Sequence, residues 1–193
     1  MHTEELIKKS RSGDVLSGED LVYLLGLAPD SLESYMVMAE ATRLSKELSD
    51  GKAEVHAQFA INLAPCPCNC LFCSFAKING IFNEEIELTP EDAVGYARQF
   101  EIDGANAVYM MSTAKYSFER FIEISKEVRK SLKPKTSLIA NIGDQSFKNA
   151  VKLKEAGFSG VYHAVRLREG KDTTLLVEKG RRVLEISRKL VLR

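Results

Sequence analysis

From Ala53 onward, short apolar runs alternate with amphipathic segments of helical period, and this alternation limits the folds open to the chain. It predicts strands at 55–63, 107–111, 137–142 and 160–165, with helices at 89–104, 117–132, 146–156 and 174–190. Strands separated by helices favour a parallel sheet with right-handed crossovers. We therefore predict an α/β fold, a partial (β/α) TIM-type barrel of about four parallel units. Functional residues of such barrels gather where the strands end.

The first 52 residues have a different pattern and predict an N-terminal helical extension. Helical periodicity covers residues 3–10, a stretch that opens at Ser17, and residues 30–48. In the third of these, Asp30 and Glu33 have the spacing of a capping box. The expected domains are thus a helical extension at 1–52 and a partial barrel domain at 53–193.

Four β/α units do not close an ordinary barrel, because the last strand keeps an exposed edge. Another copy, another subunit or further C-terminal sequence would complete it. The chain ends on RKLVLR, where a turn and a fifth strand are expected, and this favours a truncated or split reading frame.

Composition excludes several classes of partner. The 27 Lys and Arg residues balance 27 Asp and Glu residues, so no overall charge favours nucleic acid or an anionic membrane. No window approaches the roughly 20 apolar residues of a membrane span, and the N-terminus does not resemble a secretory signal. We expect a cytoplasmic protein, in which structural disulfides are rare.

All four cysteines lie in CPCNCLFC, residues 66–73, directly after the first predicted strand. Cys66, Cys70 and Cys73 form a C-x3-C-x2-C pattern that can direct three thiolates at one iron–sulfur cubane and leave one iron open. Zinc remains an alternative, because Cys70 and Cys73 have knuckle spacing, although no second cysteine pair exists. Cys68 is an extra thiol that competes as a ligand, tunes or protects the cluster, or does nothing.

APCPCNCLFC after the first strand of a β/α repeat resembles the radical S-adenosylmethionine (SAM) superfamily, including an aromatic residue, Phe72, before the last cysteine. The resemblance implies a [4Fe–4S] cluster on Cys66, Cys70 and Cys73, with SAM bound to the open iron near Phe72. It also implies reductive cleavage of SAM, hydrogen abstraction from a small substrate, and an electron donor such as flavodoxin or ferredoxin.

The segments GKAEVHAQFAINLAPC and ANIGDQSFKNAVKLKEAGFSGVYHAVRLREG are similar to the biotin synthase-like branch of that superfamily. The resemblance assigns Ser112 and Thr113 to the SAM amino group, and Arg168 and Glu169 to its methionine and ribose parts. Ordinary loop hydrogen bonding and a solvated surface pair are the competing interpretations. Arg166 is a further charged residue of the same VRLREG segment.

One feature departs from biotin synthase, and two further residues stay outside the assigned site. Tyr109 and Ile139 stand about where biotin synthase is expected to carry auxiliary cluster cysteines, so sulfur insertion is not expected. His163 is interpreted as a packed or hydrogen-bonded core residue. Asn141 either faces substrate or caps a turn before Gly143.

Two functional hypotheses follow. The first is a radical SAM enzyme that abstracts hydrogen from a small biosynthetic or cofactor-precursor substrate. The second is a catalytically incomplete fragment that binds iron–sulfur or zinc. The sequence identifies neither the substrate nor whether SAM is consumed or regenerated.

Overall fold

The computed structural model describes residues 2–63, 65–164, 171–173 and 176–191, with side chains up to residue 186. The chain divides into two compact units, Met1–Ala53 and Glu54–Arg193. Within the described part of the chain, no helix is both long enough and apolar enough to cross a membrane.

The N-terminal unit consists of α1 (His2–Arg11), α2 (Gly18–Leu25) and α3 (Leu32–Leu48). Ser17 caps α2, and its hydroxyl and the Asp20 carboxylate form a capping box. The predicted box at Asp30 is wrong, because α3 is capped by Ser31, whose hydroxyl accepts a hydrogen bond from the Ser34 amide. Serine in the extended conformation satisfies a free amide of the first turn there.

A buried carboxylate connects α1 to α3 inside this unit. Arg11 donates to both oxygens of Glu40 at 2.7 and 2.5 Å, and Arg43 donates to it at 2.6 Å. These two guanidinium groups, Arg11 first, lower the pKa of Glu40 to about 2. Glu40 therefore stays ionised although it is buried, with only 7% of its surface exposed.

The second unit contains a parallel sheet in the order β1-β4-β5-β6. Its strands are β1 (His56–Ala60), β4 (Ala107–Met111), β5 (Ser137–Asn141) and β6 (Gly160–Val161). The helices α4 (Pro90–Ile102), α5 (Phe118–Ser131), α6 (Phe147–Glu155) and α7 (Val177–Val191) alternate with them. The predicted partial barrel of parallel β/α units is confirmed.

Two strand predictions need correction. The run at 55–63 breaks at Ile61, and β2 (Asn62–Leu63) pairs antiparallel with β3 (Ile86–Glu87) in a separate small sheet. The fourth strand ends at Val161 rather than at residue 165, which lies outside the described residues. The predicted start of α7 at residue 174 also lies outside them.

The core lies between the parallel sheet and its helices. Val108, Met110 and Leu138 are fully buried on one face of the sheet, against Phe121 and Ile124 of α5. Because successive side chains of a strand point to opposite faces, Ala60, Met111 and Asn141 lie on the other face of the sheet. The strand register aligns these three residues in one row at the strand ends. Burial of the first set therefore places the second on the opposite face, and because Ala60, Met111 and Asn141 are the last residues of their strands, they lie at the carboxyl end of the sheet.

Candidate cluster and cofactor site

A cavity of about 210 Å³ opens where the parallel strands end. The ends of β1, β4 and β5 and the cysteine loop all contribute to its wall. The lining residues include the three cysteines of the predicted ligand set and four other residues of the sequence analysis: Cys66, Cys70, Cys73, Phe72, Ser112, Thr113 and Asn141. Ala60 and Gly143, which are 83 positions apart in sequence, thus line one cavity at the same end of the sheet.

The cysteine loop closes through its own backbone. The Cys66 amide donates to the Phe75 carbonyl at 2.7 Å, and the Lys77 amide donates to the Cys66 carbonyl at 3.1 Å. Asn69 has a φ of 47°, a left-handed conformation that asparagine tolerates, and its side chain accepts from the Ile78 amide at 3.1 Å. The loop therefore has a defined path that brings its first and last cysteines to the same cavity.

The four thiols have different surroundings. Cys66 and Cys68 are buried, and Cys70 and Cys73 are half-buried. Burial, with smaller effects of Cys66 and Cys70, raises the pKa of Cys68 to about 11, so this thiol stays protonated at neutral pH. Cys68 is absent from the cavity lining, unlike the other three. Its position outside the cavity separates Cys68 from the three predicted ligands.

Polar groups at the end of β4 are held by a residue that sequence reasoning missed, Asn62. Its side-chain oxygen accepts from the Thr113 amide at 2.9 Å, and its amide nitrogen donates to the Thr113 hydroxyl at 3.1 Å and to Glu85 at 3.0 Å. Asn62 is 3% exposed, and a buried amide with satisfied hydrogen bonds fixes its partners firmly. The signal in the sequence was an asparagine inside the otherwise apolar run AINLA.

A close backbone approach shapes the opposite wall. A Cβ added to Gly143 would lie 2.3 Å from the carbonyl oxygen of Ala114. Glycine lets the loop after β5 pack against the loop after β4 at this point. The Ser112 amide also donates to the Asn141 carbonyl at 3.1 Å, which joins the same two strand ends.

The remaining predicted residues divide into three groups. Arg166, Arg168 and Glu169 lie outside the described residues. His163 is buried at its side chain, with Nε2 at 3.2 Å from the Asp144 carboxylate. Tyr109 and Ile139 are paired in register on the cavity-facing side of the sheet, and the Tyr109 hydroxyl lies 3.2 Å from His56 Nδ1.

Comparison with curated proteins gives two relatives, and both are biotin synthases. The chain is 27% identical over 165 residues to the biotin synthase of Pelotomaculum thermopropionicum, covering 82% of the chain and 50% of that protein. It is 25% identical over 165 residues to the biotin synthase of Acetivibrio thermocellus, covering 81% and 49%. The chain is therefore similar to biotin synthases over most of its own length. No family model matches it.

Solved structures share the fold of this chain. The [FeFe]-hydrogenase maturase HydG matches with a TM-score of 0.80 at 15% identity, over 97% of the chain and 44% of HydG. Methylornithine synthase (PylB) matches with a TM-score of 0.71 at 18% identity, over 98% and 56%. At these identities the likeness concerns the fold alone. The chain spans about half the length of the curated relatives it matches.

The thiols of the cysteine loop are chemically suited to hold an iron–sulfur cluster. Three thiols from one loop line a cavity, and thiolates are the usual protein ligands of such clusters. Among the described residues, no three Cys, His, Asp or Glu side chains converge closely enough to hold a metal ion. Binding of a cluster therefore requires the thiols of this loop to turn toward one another across the cavity.

Proposed function

We propose that the chain holds a [4Fe–4S] cluster on Cys66, Cys70 and Cys73 and binds SAM beside it, as part of a radical SAM enzyme that acts on a small molecule. The observation that carries this proposal is the shared cavity, in which three thiols of one loop face the polar strand ends of β4 and β5. Similarity to two biotin synthases supports the reaction class.

When bound, the cluster and SAM would supply radical chemistry, in which one electron cleaves SAM and a hydrogen atom is then removed from the substrate. The residues of this chain bind and orient. Cys66, Cys70 and Cys73 would supply three thiolates and leave one iron of the cluster for SAM, and Phe72 forms part of the apolar wall. Asn62 fixes Thr113, whose hydroxyl keeps a lone pair for the ammonium group of SAM.

Ser112 completes this polar strand end. Its hydroxyl donates to the Thr113 carbonyl at 3.2 Å, and its amide is tied to β5. We assign Arg168 and Glu169 to the carboxylate and ribose groups of SAM on the resemblance alone. Arginine grips a carboxylate with two parallel hydrogen bonds, and glutamate accepts from ribose hydroxyls.

The substrate is proposed to be a small biosynthetic or cofactor precursor bound on the cavity-facing side of the sheet. Tyr109 and Ile139 lie on that side of the sheet, and neither side chain has a thiol that could hold an auxiliary cluster. We therefore propose no sulfur insertion. Reducing equivalents would come from a small electron-transfer protein such as flavodoxin or ferredoxin.

Anaerobic reconstitution with iron and sulfide tests the proposal. We expect about four irons and four sulfides per chain, and formation of 5′-deoxyadenosine from SAM under reducing conditions. Serine at Cys66, Cys70 or Cys73 should lower both values, whereas Cys68→Ala should leave both unchanged. One tightly held zinc per chain, without cleavage of SAM, would instead support a metal-binding role and overturn the proposal.

A further inference from the structure

A short segment far away in sequence, residues 171–173, forms hydrogen bonds with the cysteine loop. The Leu71 amide donates to the Asp172 carbonyl at 2.9 Å. The Cys70 sulfur lies 2.9 Å from the Thr173 hydroxyl oxygen. Two adjacent loop residues thus meet two adjacent residues of this segment, and one of the two contacts reaches a sulfur that lines the cavity.

The direction of the hydrogen bond between Thr173 and Cys70 depends on the state of the sulfur. While Cys70 is a thiol, either atom can donate. A thiolate that ligates iron has no hydrogen, so the Thr173 hydroxyl must then be the donor and the sulfur the acceptor. The backbone bond between Leu71 and Asp172 holds the two segments together independently of that change.

A donor at a ligating sulfur affects the cluster through its charge. Adding an electron makes an iron–sulfur cluster more negative, and a hydroxyl dipole that points at sulfur stabilises that state more than the oxidised one. Such hydrogen bonds raise the reduction potential. A cluster that must accept an electron before SAM is cleaved is sensitive to this contact.

Resting on the proposed function, we infer that Thr173 is a tuning residue, whose hydroxyl donates to the Cys70 sulfur and raises the reduction potential of the cluster. It acts through Cys70 and is therefore distinct from the residues that bind SAM. This role needs only a hydroxyl group, so Thr173→Ser should preserve it. Valine has nearly the same shape as threonine but no hydroxyl group, so Thr173→Val should abolish it.

The test compares the wild-type chain with Thr173→Val, Thr173→Ala and Thr173→Ser after reconstitution with iron and sulfide. The midpoint potential is measured by redox titration followed by electron paramagnetic resonance. We expect both hydroxyl-free variants to have a more negative potential, by up to about a tenfold change in the ratio of reduced to oxidised cluster, or 59 mV for one electron. The serine variant should titrate like wild type.

Amide hydrogen exchange at Leu71 before reconstitution controls for a purely structural effect. Protection retained in all variants shows that the backbone contact to Asp172 persists and assigns the shift to the hydroxyl. Potentials of the valine and alanine variants equal to wild type, at equal iron content, would overturn the inference, as would a serine variant shifted as far as valine. Failure of the wild-type chain to assemble a four-iron cluster would overturn the proposed function itself, which keeps the two failures distinct.

Discussion

Substitution of Gly143 by alanine tests the packing of the cavity wall. The added Cβ would lie 2.3 Å from the Ala114 carbonyl oxygen and 3.0 Å from its carbonyl carbon. Ordinary carbon–oxygen contacts are about 3.3–3.6 Å, so the Ala114 peptide would have to retreat by about 1 Å. Because a backbone group must move, we expect Gly143→Ala to lower the free energy of unfolding by about 2 kcal/mol.

The matched control makes the same chemical change where there is space. A Cβ added to Gly95, on the exposed side of α4, would meet nothing within 4 Å. Alanine favours a helix interior over glycine by up to about 1 kcal/mol, so Gly95→Ala should stabilise the chain. The two variants therefore change stability in opposite directions.

Urea unfolding of the reduced, metal-free protein, followed by circular dichroism, measures both variants. In thermal unfolding, Gly143→Ala should lower the midpoint by about 4–8 °C. The displaced peptide directly follows Thr113, so the same variant should also bind SAM more weakly after reconstitution. A Gly143→Ala protein that unfolds with wild-type stability would refute the close approach of the two loops.

Three further predictions concern single side chains. Thr113→Val should weaken SAM binding about fivefold to tenfold in equilibrium dialysis and leave the iron content unchanged, since one hydrogen bond is worth about 1–1.5 kcal/mol. Asn62→Asp should also weaken SAM binding. Unchanged affinity in both variants would contradict the assigned contact between Thr113 and SAM. Glu40 has a pKa of about 2 in the folded chain and about 4.3 unfolded, so its stabilising effect is complete above about pH 4.3 and is lost as the pH falls toward 2. Amide exchange in α1 and α3 should therefore accelerate over that interval, and less so in Glu40→Gln; equal acceleration in both proteins would count against this linkage. Cys68→Ala should assemble a wild-type iron–sulfur content because this buried residue does not line the cavity, whereas loss of iron on this change would make Cys68 a ligand.

Local patterns predicted much of the fold. Capping hydroxyls at Ser17, Thr89, Ser117 and Ser146 mark helix starts in the sequence, and each accepts a first-turn hydrogen bond in the structure. The parallel sheet followed from alternation of strands and helices, which needs no knowledge of contacts distant in sequence. The exception at Asp30 shows the limit of this reasoning, because neighbouring Ser31 satisfies the same geometric requirement.

The structural features that the sequence did not predict depend on pairing between segments that are distant in sequence. The break at Ile61 arises because Asn62 and Leu63 pair with Glu87 and Ile86, and no periodicity within residues 55–63 marks that change of partner. The bond between Cys70 and Thr173 spans 103 residues and was likewise invisible to local reasoning. The spacing of the cysteines predicts that Cys66, Cys70 and Cys73 act together, and in the structure all three line one cavity.

Cys66, Cys70 and Cys73 are proposed to hold a four-iron cluster with one iron open to SAM. Electron paramagnetic resonance of the reconstituted, reduced protein, recorded with and without SAM, tests this proposal most directly. We predict the signal of a reduced [4Fe–4S] cluster whose shape changes when SAM is added, since SAM would alter the coordination of the open iron. A spectrum that is identical with and without saturating SAM would contradict the account.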